Sequence, residues 1–184
     1  PLCLAPLSIH CHNDLGLALA NTLAALKAGA SCCHVTVNGL GERAGNTPFE
    51  EVVMALEHLY KVDTGIETRK IYPLSTLVSR LTGVPFATNK PIVGTMAFTH
   101  ESGIHAHGLF RDTRTYEPIA PELVGRMRRI VLGKHSGSAS VKAALTELGY
   151  SPNPRQLEEI VKRIKTLGDE GRRVTDTDVM AISD

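Results

Sequence analysis

The 184-residue sequence predicts an α/β protein, and three observations point to that class. Two short β-prone segments, residues 7–10 and 34–37, flank an Ala- and Leu-rich stretch with helical spacing. A second helical segment follows, which completes the βαβα order of a parallel strand pair. Helical spacing dominates the rest of the chain. We therefore expect a parallel α/β domain at residues 1–63 and mainly helical subdomains at residues 64–184.

The elements of the first third are set by apolar spacing and by terminator residues. The first helix is expected over residues 14–29, where leucines recur on one face and Gly29 is a suitable terminator. A second helix is expected to begin at Thr47-Pro48, with two glutamates in its first turn, and to run to about Tyr60. Two such units cannot cover both faces of a parallel sheet, so we expect the chain to be the carboxyl-terminal part of a longer protein.

Beyond the predicted boundary the sequence alternates helical and connecting segments. Ile71, Leu74, Leu77 and Leu81 share one face of a helix expected over residues 68–82. Thr175-x-x-Asp178 has the spacing of a helix start. The remaining expectations are connecting structure at 84–99, a short strand at 128–132, and helices at 137–148 and 156–167.

Composition excludes several classes of function. A net charge of +1 with 42% hydrophobic residues argues against a disordered chain and against a dedicated nucleic-acid binder. The apolar runs are too short to span a bilayer, so no membrane association is expected. The four cysteines include no C-x-x-C pair, and no secretory signal is visible, which favours reduced thiols in a cytoplasmic protein.

The segment His10-Cys11-His12-Asn13-Asp14 is the first candidate site. Residues i and i+2 of a strand point to the same side, so His10 and His12 present two imidazoles together at a strand's carboxyl end. Two such groups can share a divalent ion, with further ligands coming from elsewhere. The alternative is a pair of polar residues at a strand end that are hydrogen-bonded to neighbours.

A glycine-rich loop, Asn38–Asn46, follows the second predicted strand. Its three glycines allow tight turns and close approach to a ligand, while Glu42, Arg43 and Asn46 add charge and hydrogen-bonding groups. Its spacing does not fit the dinucleotide-binding fingerprint. The alternative is a turn that only leads into the next helix.

Taken together, these segments resemble the family of isopropylmalate and homocitrate synthases. The resemblance rests on HCHND at 10–14, NGLGERAGN at 38–46, FTHESGIHAHG at 98–108, RTYEPIAPELVG at 114–125 and VLGKHSG at 131–137. It implies a TIM barrel that condenses acetyl-CoA with a 2-oxo acid and then hydrolyses the thioester. It also implies that this chain holds the last two βα units of the barrel and the helical linker subdomains that follow.

The resemblance assigns roles to particular residues. It implies that His10 and His12 bind a divalent metal (Zn, Mn or Mg), that Asn46 completes or supports this site, and that Glu42 and Asn46 contact substrate. It implies proton transfer or enolate stabilisation by His105 and Tyr116. A remaining aspartate ligand and a catalytic arginine would lie in a segment absent from this chain. A homodimer is implied too, because the subdomain carrying His105 and Tyr116 reaches over the partner's site.

Several alternatives remain within and beyond this family. An isopropylmalate synthase in leucine biosynthesis is favoured over homocitrate or citramalate synthases, which share the motifs. An acyl-CoA lyase on the same barrel would carry a cysteine in the glycine loop, and none occurs between Asn38 and Asn46. The chain alone is expected to be inactive. Two further sites are less favoured: a second metal pair formed by His105 and His107, and a CoA contact at Lys134-His135-Ser136. We interpret the basic cluster of Arg126, Arg128 and Arg129 as a solvated face.

Overall fold

The computed structural model describes residues 5–100, 118–147, 149–171, 174 and 176–183. These residues form two compact units. The first contains the described residues up to Ala97 together with Glu122–Arg126, and the second contains the others. The domain boundary expected between residues 63 and 64 stays a prediction.

A parallel strand pair is the centre of the first unit. Strand β1 (Ser8–His10) pairs with strand β2 (Cys32–His34), and helix α1 (Ala18–Lys27) makes the crossover between them. The register places His10 directly opposite His34. The predicted parallel pair is therefore confirmed.

The position of the second strand was predicted two to three residues too late. Residues 34–37 have the higher β-propensity, yet β2 covers Cys32–His34. The reason is tertiary: Thr36 is bonded to residues after the glycine loop instead of to β1, because its N–H donates to Thr47 O and its carbonyl accepts from Phe49 N. Pairing with those residues overrides local preference.

The helix after the loop is composite. Helix α2 (Phe49–Met54) continues as one π-helical turn (Ala55–Leu59), in which Tyr60 N donates to Ala55 O at 3.2 Å. The predicted extent to about Tyr60 is confirmed. Pro48 precedes the first helical residue, and its fixed φ is compatible with a helix start.

Helix α3 (Ile71–Thr82) also belongs to the first unit and ends at Gly83, whose φ of 71° is the left-handed conformation that glycine adopts at helix ends. A 3-10 turn (Thr68–Lys70) leads into it. The prediction that Arg126 lies on a solvated face is wrong. Its guanidinium donates to the carbonyls of residues 93–95 and lies 4.6 Å from the centre of the Tyr72 ring.

The described residues of the second unit are mainly helical. Strand β3 (Thr99–His100) pairs in parallel with β4 (Arg129–Ile130), and helices α4 (Ser138–Glu147), α5 (Pro154–Asp169) and α6 (Asp176–Ser183) follow. Leu145, Ile160, Ile164 and neighbouring apolar residues form its core. None of the helices within the described residues has the length and apolar character needed to cross a membrane.

Two local features of the second unit bear on the sequence predictions. Helix α5 begins earlier than expected because Asn153 and Gln156 form a reciprocal capping box, which the sequence analysis missed. The capping threonine predicted for α6, Thr175, lies outside the described residues. Lys134 and His135 are exposed on a turn closed by Ser136, whose hydroxyl accepts from Gly133 N at 2.9 Å.

Candidate metal centre

His10 and His12 lie at the carboxyl end of β1. Their ring centres are 5.1 Å apart and the ring planes meet at 68°. His12 also forms an isolated antiparallel bridge with Asn46, which brings the end of the glycine loop to the strand terminus. The structure thus places both predicted imidazoles and the predicted amide together.

Asn46 is the residue on which the two imidazoles converge. Its Nδ2 lies 3.1 Å from His10 Nε2 and 3.5 Å from His12 Nδ1, and it donates to the Cys11 carbonyl at 3.1 Å. An amide nitrogen is only a donor, so an imidazole nitrogen that bonds to it accepts with its lone pair, and the two amide hydrogens are shared among these three neighbours. Those same lone pairs are the ones that would bind a metal ion.

Glycine residues make the position of Asn46 possible. The backbone N–H of Asn46 donates to the Gly39 carbonyl at 3.0 Å, and Asn46 is only 6% exposed. A Cβ added at Gly41 would overlap Asn46 Oδ1, and one added at Gly45 would overlap the Gly39 carbonyl. Asn38, at φ 62°, and Gly39, at φ 71°, make the left-handed turn that opens the loop.

The donor set fits part of a divalent-metal site. Two imidazoles and a neighbouring amide suit Zn or Mn, but the amide presents nitrogen to the imidazoles while its oxygen faces Gly41. Asn46 therefore supports the imidazoles by hydrogen bonding in this arrangement, and ligation through Oδ1 requires the amide to turn over. Among the described residues, no group of three or more His, Cys, Asp or Glu side chains could hold an ion.

A third histidine, His34, lies beside this pair and was missed by the sequence analysis. Its ring centre is 5.5 Å from that of His10, with the planes at 73°. Both residues occupy the same register position on adjacent parallel strands, so their side chains project from the same face. The signal that could have found it is the register of β2, which the sequence predicted incorrectly.

Charged residues at the entrance of the loop form an ion pair beside the site. Arg43 contacts the Asp14 carboxylate through Nε and Nη2, and the hydrogen bond from Arg43 holds the pKa of Asp14 below its ordinary value. Glu42, a predicted substrate contact, is 87% exposed and lies 4.0 Å from the Arg43 guanidinium. The predicted catalytic residues His105 and Tyr116 lie outside the described residues.

The fold and site define a parallel α/β protein with an imidazole pair at the carboxyl end of a strand. Residues 2–78 match the model of the HMGL-like family, and residues 92–172 match that of the homocitrate synthase post-HMGL domain-like family. Residues 2–78 thus resemble an HMGL-like domain, and residues 92–172 resemble the segment that follows such a domain in homocitrate synthases. An HMGL-like domain implies a TIM barrel.

The curated relatives are named as synthases. The chain is 73% identical over its whole length to a protein of Methanoculleus marisnigri, and 61% identical over 98% of its length to one of Methanosarcina mazei; both are provisionally named (R)-citramalate synthase. It is 58% identical over 96% of its length to a 2-isopropylmalate synthase of Methanocaldococcus jannaschii. It covers 37%, 37% and 35% of these proteins respectively, so it spans little more than a third of each relative.

Proposed function

We propose that this chain contributes the carboxyl-terminal βα units of a TIM-barrel synthase, with the helical subdomains that follow them, and that the full-length protein condenses acetyl-CoA with a 2-oxo acid. The observation that carries the proposal is the convergence of His10 Nε2 and His12 Nδ1 on Asn46 Nδ2. TIM barrels place their reactive groups at the carboxyl ends of their parallel strands, and these two imidazole nitrogens converge at such a strand end.

Each residue of the centre has a part in this proposal. His10 and His12 hold a divalent ion in place of the Asn46 amide hydrogens, and Asn46 either turns its oxygen to the ion or keeps the imidazoles oriented. When bound, the ion polarises the keto group of the 2-oxo acid and orients it. Glu42 stands exposed at the same loop, available to contact substrate.

The family resemblance supplies the proposed proton chemistry. The acetyl-CoA methyl group loses a proton, and the carbon attacks the keto carbon of the 2-oxo acid. We propose that His105 takes part in the proton transfer and that Tyr116 donates a hydrogen bond to the developing oxyanion. Water then hydrolyses the thioester and releases free CoA. By the same resemblance the enzyme is a cytoplasmic homodimer.

The names of two of the curated relatives support pyruvate as the 2-oxo acid. The sequence motifs favour the isopropylmalate reaction, whereas the relatives at 73% and 61% identity carry the citramalate name. Citramalate carries a methyl group on its hydroxyl-bearing carbon, so its synthesis from acetyl-CoA uses pyruvate. The isopropylmalate reaction, which uses 2-oxoisovalerate, stays the second candidate because a relative at 58% identity has that name. Homocitrate synthesis remains a further alternative, and a lyase on the same barrel is disfavoured by the cysteine-free loop.

The test is release of free CoA by the full-length protein. Pyruvate, 2-oxoisovalerate and 2-oxoglutarate are compared, each with acetyl-CoA and Mn²⁺, and we expect pyruvate to give the highest kcat/KM. His10→Ala and His12→Ala should abolish release and weaken Mn²⁺ binding, whereas His58→Ala, in the π-helical turn, should change neither. Full activity in either strand variant would refute the proposal, and a preference for 2-oxoisovalerate would transfer it to the isopropylmalate reaction. We expect the 184 residues alone to show no turnover.

A further inference from the structure

A buried ion pair lies behind the glycine loop in the first unit. The Glu50 side chain, in the first turn of α2, is fully buried, and its Oε1 lies 3.1 Å from the ammonium group of Lys90. The other carboxylate oxygen, Oε2, accepts the backbone N–H of Asn38 at 3.0 Å. The same carboxylate therefore contacts both a cation and the first residue of the loop.

Lys90 comes from the connecting segment after α3. The sequence pattern predicts no functional role for this lysine. Its side chain is 13% exposed, and it also contacts Glu51 Oε1 at 2.8 Å. Burial alone lowers the pKa of Lys90, but the hydrogen bond that Lys90 donates to Glu51 and the charges of both glutamates outweigh it and leave that pKa above its ordinary value. Lys90 therefore keeps its positive charge in this partly buried position.

Asn38 is also held from a second side. Its Nδ2 donates to the Ser75 carbonyl of α3 at 2.9 Å. The next residue, Gly39, accepts the backbone N–H of Asn46 at 3.0 Å. A continuous series of contacts therefore runs from Lys90 through Glu50 to Asn38, and from there across Gly39 to the backbone of Asn46, whose side-chain amide faces the imidazoles.

We propose that the Lys90–Glu50 ion pair, together with the Ser75 carbonyl, anchors Asn38 and thereby positions Asn46 beside His10 and His12. Glu50, Lys90 and Asn38 are positioning residues, since none touches the imidazoles. This inference rests on the proposed function, because it takes the imidazole pair to be a metal site. It predicts that loss of the Asn38 anchor weakens metal binding without any change in the ligands themselves.

The experiment measures Mn²⁺ affinity by calorimetry in the metal-free, full-length protein. Glu50→Met removes the acceptor for Asn38 N–H and should weaken Mn²⁺ binding about tenfold, the scale typical of residues that orient metal ligands. Glu50→Gln restores an acceptor of the same shape and should recover most of the affinity. Wild-type affinity in Glu50→Met would overturn the inference.

Glu51→Met is the matched control. It also removes a carboxylate from Lys90, but among the described contacts it is Glu50, and not Glu51, that binds the loop residue Asn38. Both Met variants should lower the melting temperature, whereas only Glu50→Met should lower Mn²⁺ affinity. Equal loss of affinity in the two variants would mean general destabilisation and would overturn the inference.

Two further variants complete the design. Should Glu50→Met fail to fold, Lys90→Met decides the question: it removes the cation that contacts Glu50 Oε1, and wild-type Mn²⁺ affinity there would overturn the role of the ion pair as an anchor. His10→Ala separates this inference from the proposed function. Mn²⁺ binding that survives His10→Ala refutes the metal site and the inference with it, whereas loss there with full binding in Glu50→Met refutes the inference alone.

Discussion

Arg43 donates two hydrogen bonds to the Asp14 carboxylate, from Nε to Oδ1 at 2.8 Å and from Nη2 to Oδ2 at 2.9 Å. Asp14 follows β1, and Arg43 belongs to the glycine loop after β2. The pair therefore joins the two motifs that make the candidate metal centre. Nearby, the Asn13 N–H donates to the Gly45 carbonyl at 2.9 Å, which adds a backbone connection between the same segments.

The ion pair should be visible as a shifted titration. The hydrogen bond from Arg43 lowers the pKa of Asp14 below its ordinary value of 3.8. A carboxyl whose folded-state pKa is depressed stabilises the fold above its unfolded-state pKa, and this contribution disappears as pH falls through the folded value. Arg43→Gln should raise the Asp14 pKa towards 3.8, measured by NMR of ¹³C-carboxyl aspartate. Lys70→Gln, which removes the partner of Glu67, should leave it unchanged.

His34 should influence the metal centre through His10. Its ring packs edge-on against the His10 ring, so His34→Ala leaves His10 free to rotate away from Asn46. We expect Mn²⁺ affinity to fall about tenfold, as is typical when a residue that orients a ligand is lost. Calorimetry on the full-length protein measures this, with His58→Ala as the control. Undiminished affinity in His34→Ala would show that the ring contact has no orienting role.

Gly41 should tolerate no side chain. A Cβ there would overlap Asn46 Oδ1, so Gly41→Ala must displace the amide or the loop, at a cost of about 1–3 kcal/mol. Gly137 is the matched control, since a Cβ at that position meets nothing within 4 Å. We expect Gly41→Ala to lose CoA release and Gly137→Ala to retain it. Similar activity in the two variants would contradict the close approach of Asn46 to Gly41.

Tyr116→Phe tests the role that the family resemblance assigns to this tyrosine. If its hydroxyl stabilises charge that develops only during the reaction, the variant should lower kcat by about 10²-fold or more while Mn²⁺ affinity is retained. Parallel CoA-release and calorimetric measurements separate the two effects. A wild-type kcat would remove Tyr116 from the chemistry, and a loss of Mn²⁺ binding would assign it to the metal site instead.

The sequence predicted the parts of the site that depend on local pattern. Alternation along a strand was sufficient to predict that the His10 and His12 rings lie together. The glycines of the loop predicted close approach to a ligand, and in the structure Gly41 leaves room for Asn46 Oδ1. The parallel pair followed from the order of strand, helix and strand. In each case the determining residues are near one another in sequence, so their spacing carries the information.

The parts that escaped prediction depend on contacts between distant segments. β2 ends at His34 because Thr36 is bonded to residues after the loop, and this shift brings His34 opposite His10. Lys90 is 40 residues from Glu50, in a segment whose Pro and Thr content indicates only connecting structure. Arg126 similarly finds its carbonyl partners more than 30 residues away. Local propensity depends only on residues that are near one another in sequence, so it cannot predict contacts between distant segments.

The ion pair between Glu50 and Lys90 limits how this protein can be recombined with its relatives. The matched HMGL-like segment ends at residue 78, whereas the cation that neutralises Glu50 lies at position 90. A chimera joined at residue 78 would keep Glu50 but take position 90 from the other parent. The buried carboxylate would then be neutralised only if that parent supplies a cation at this position. Crossovers placed after Ala97 keep both charges on one parental segment and should give the larger fraction of folded hybrids.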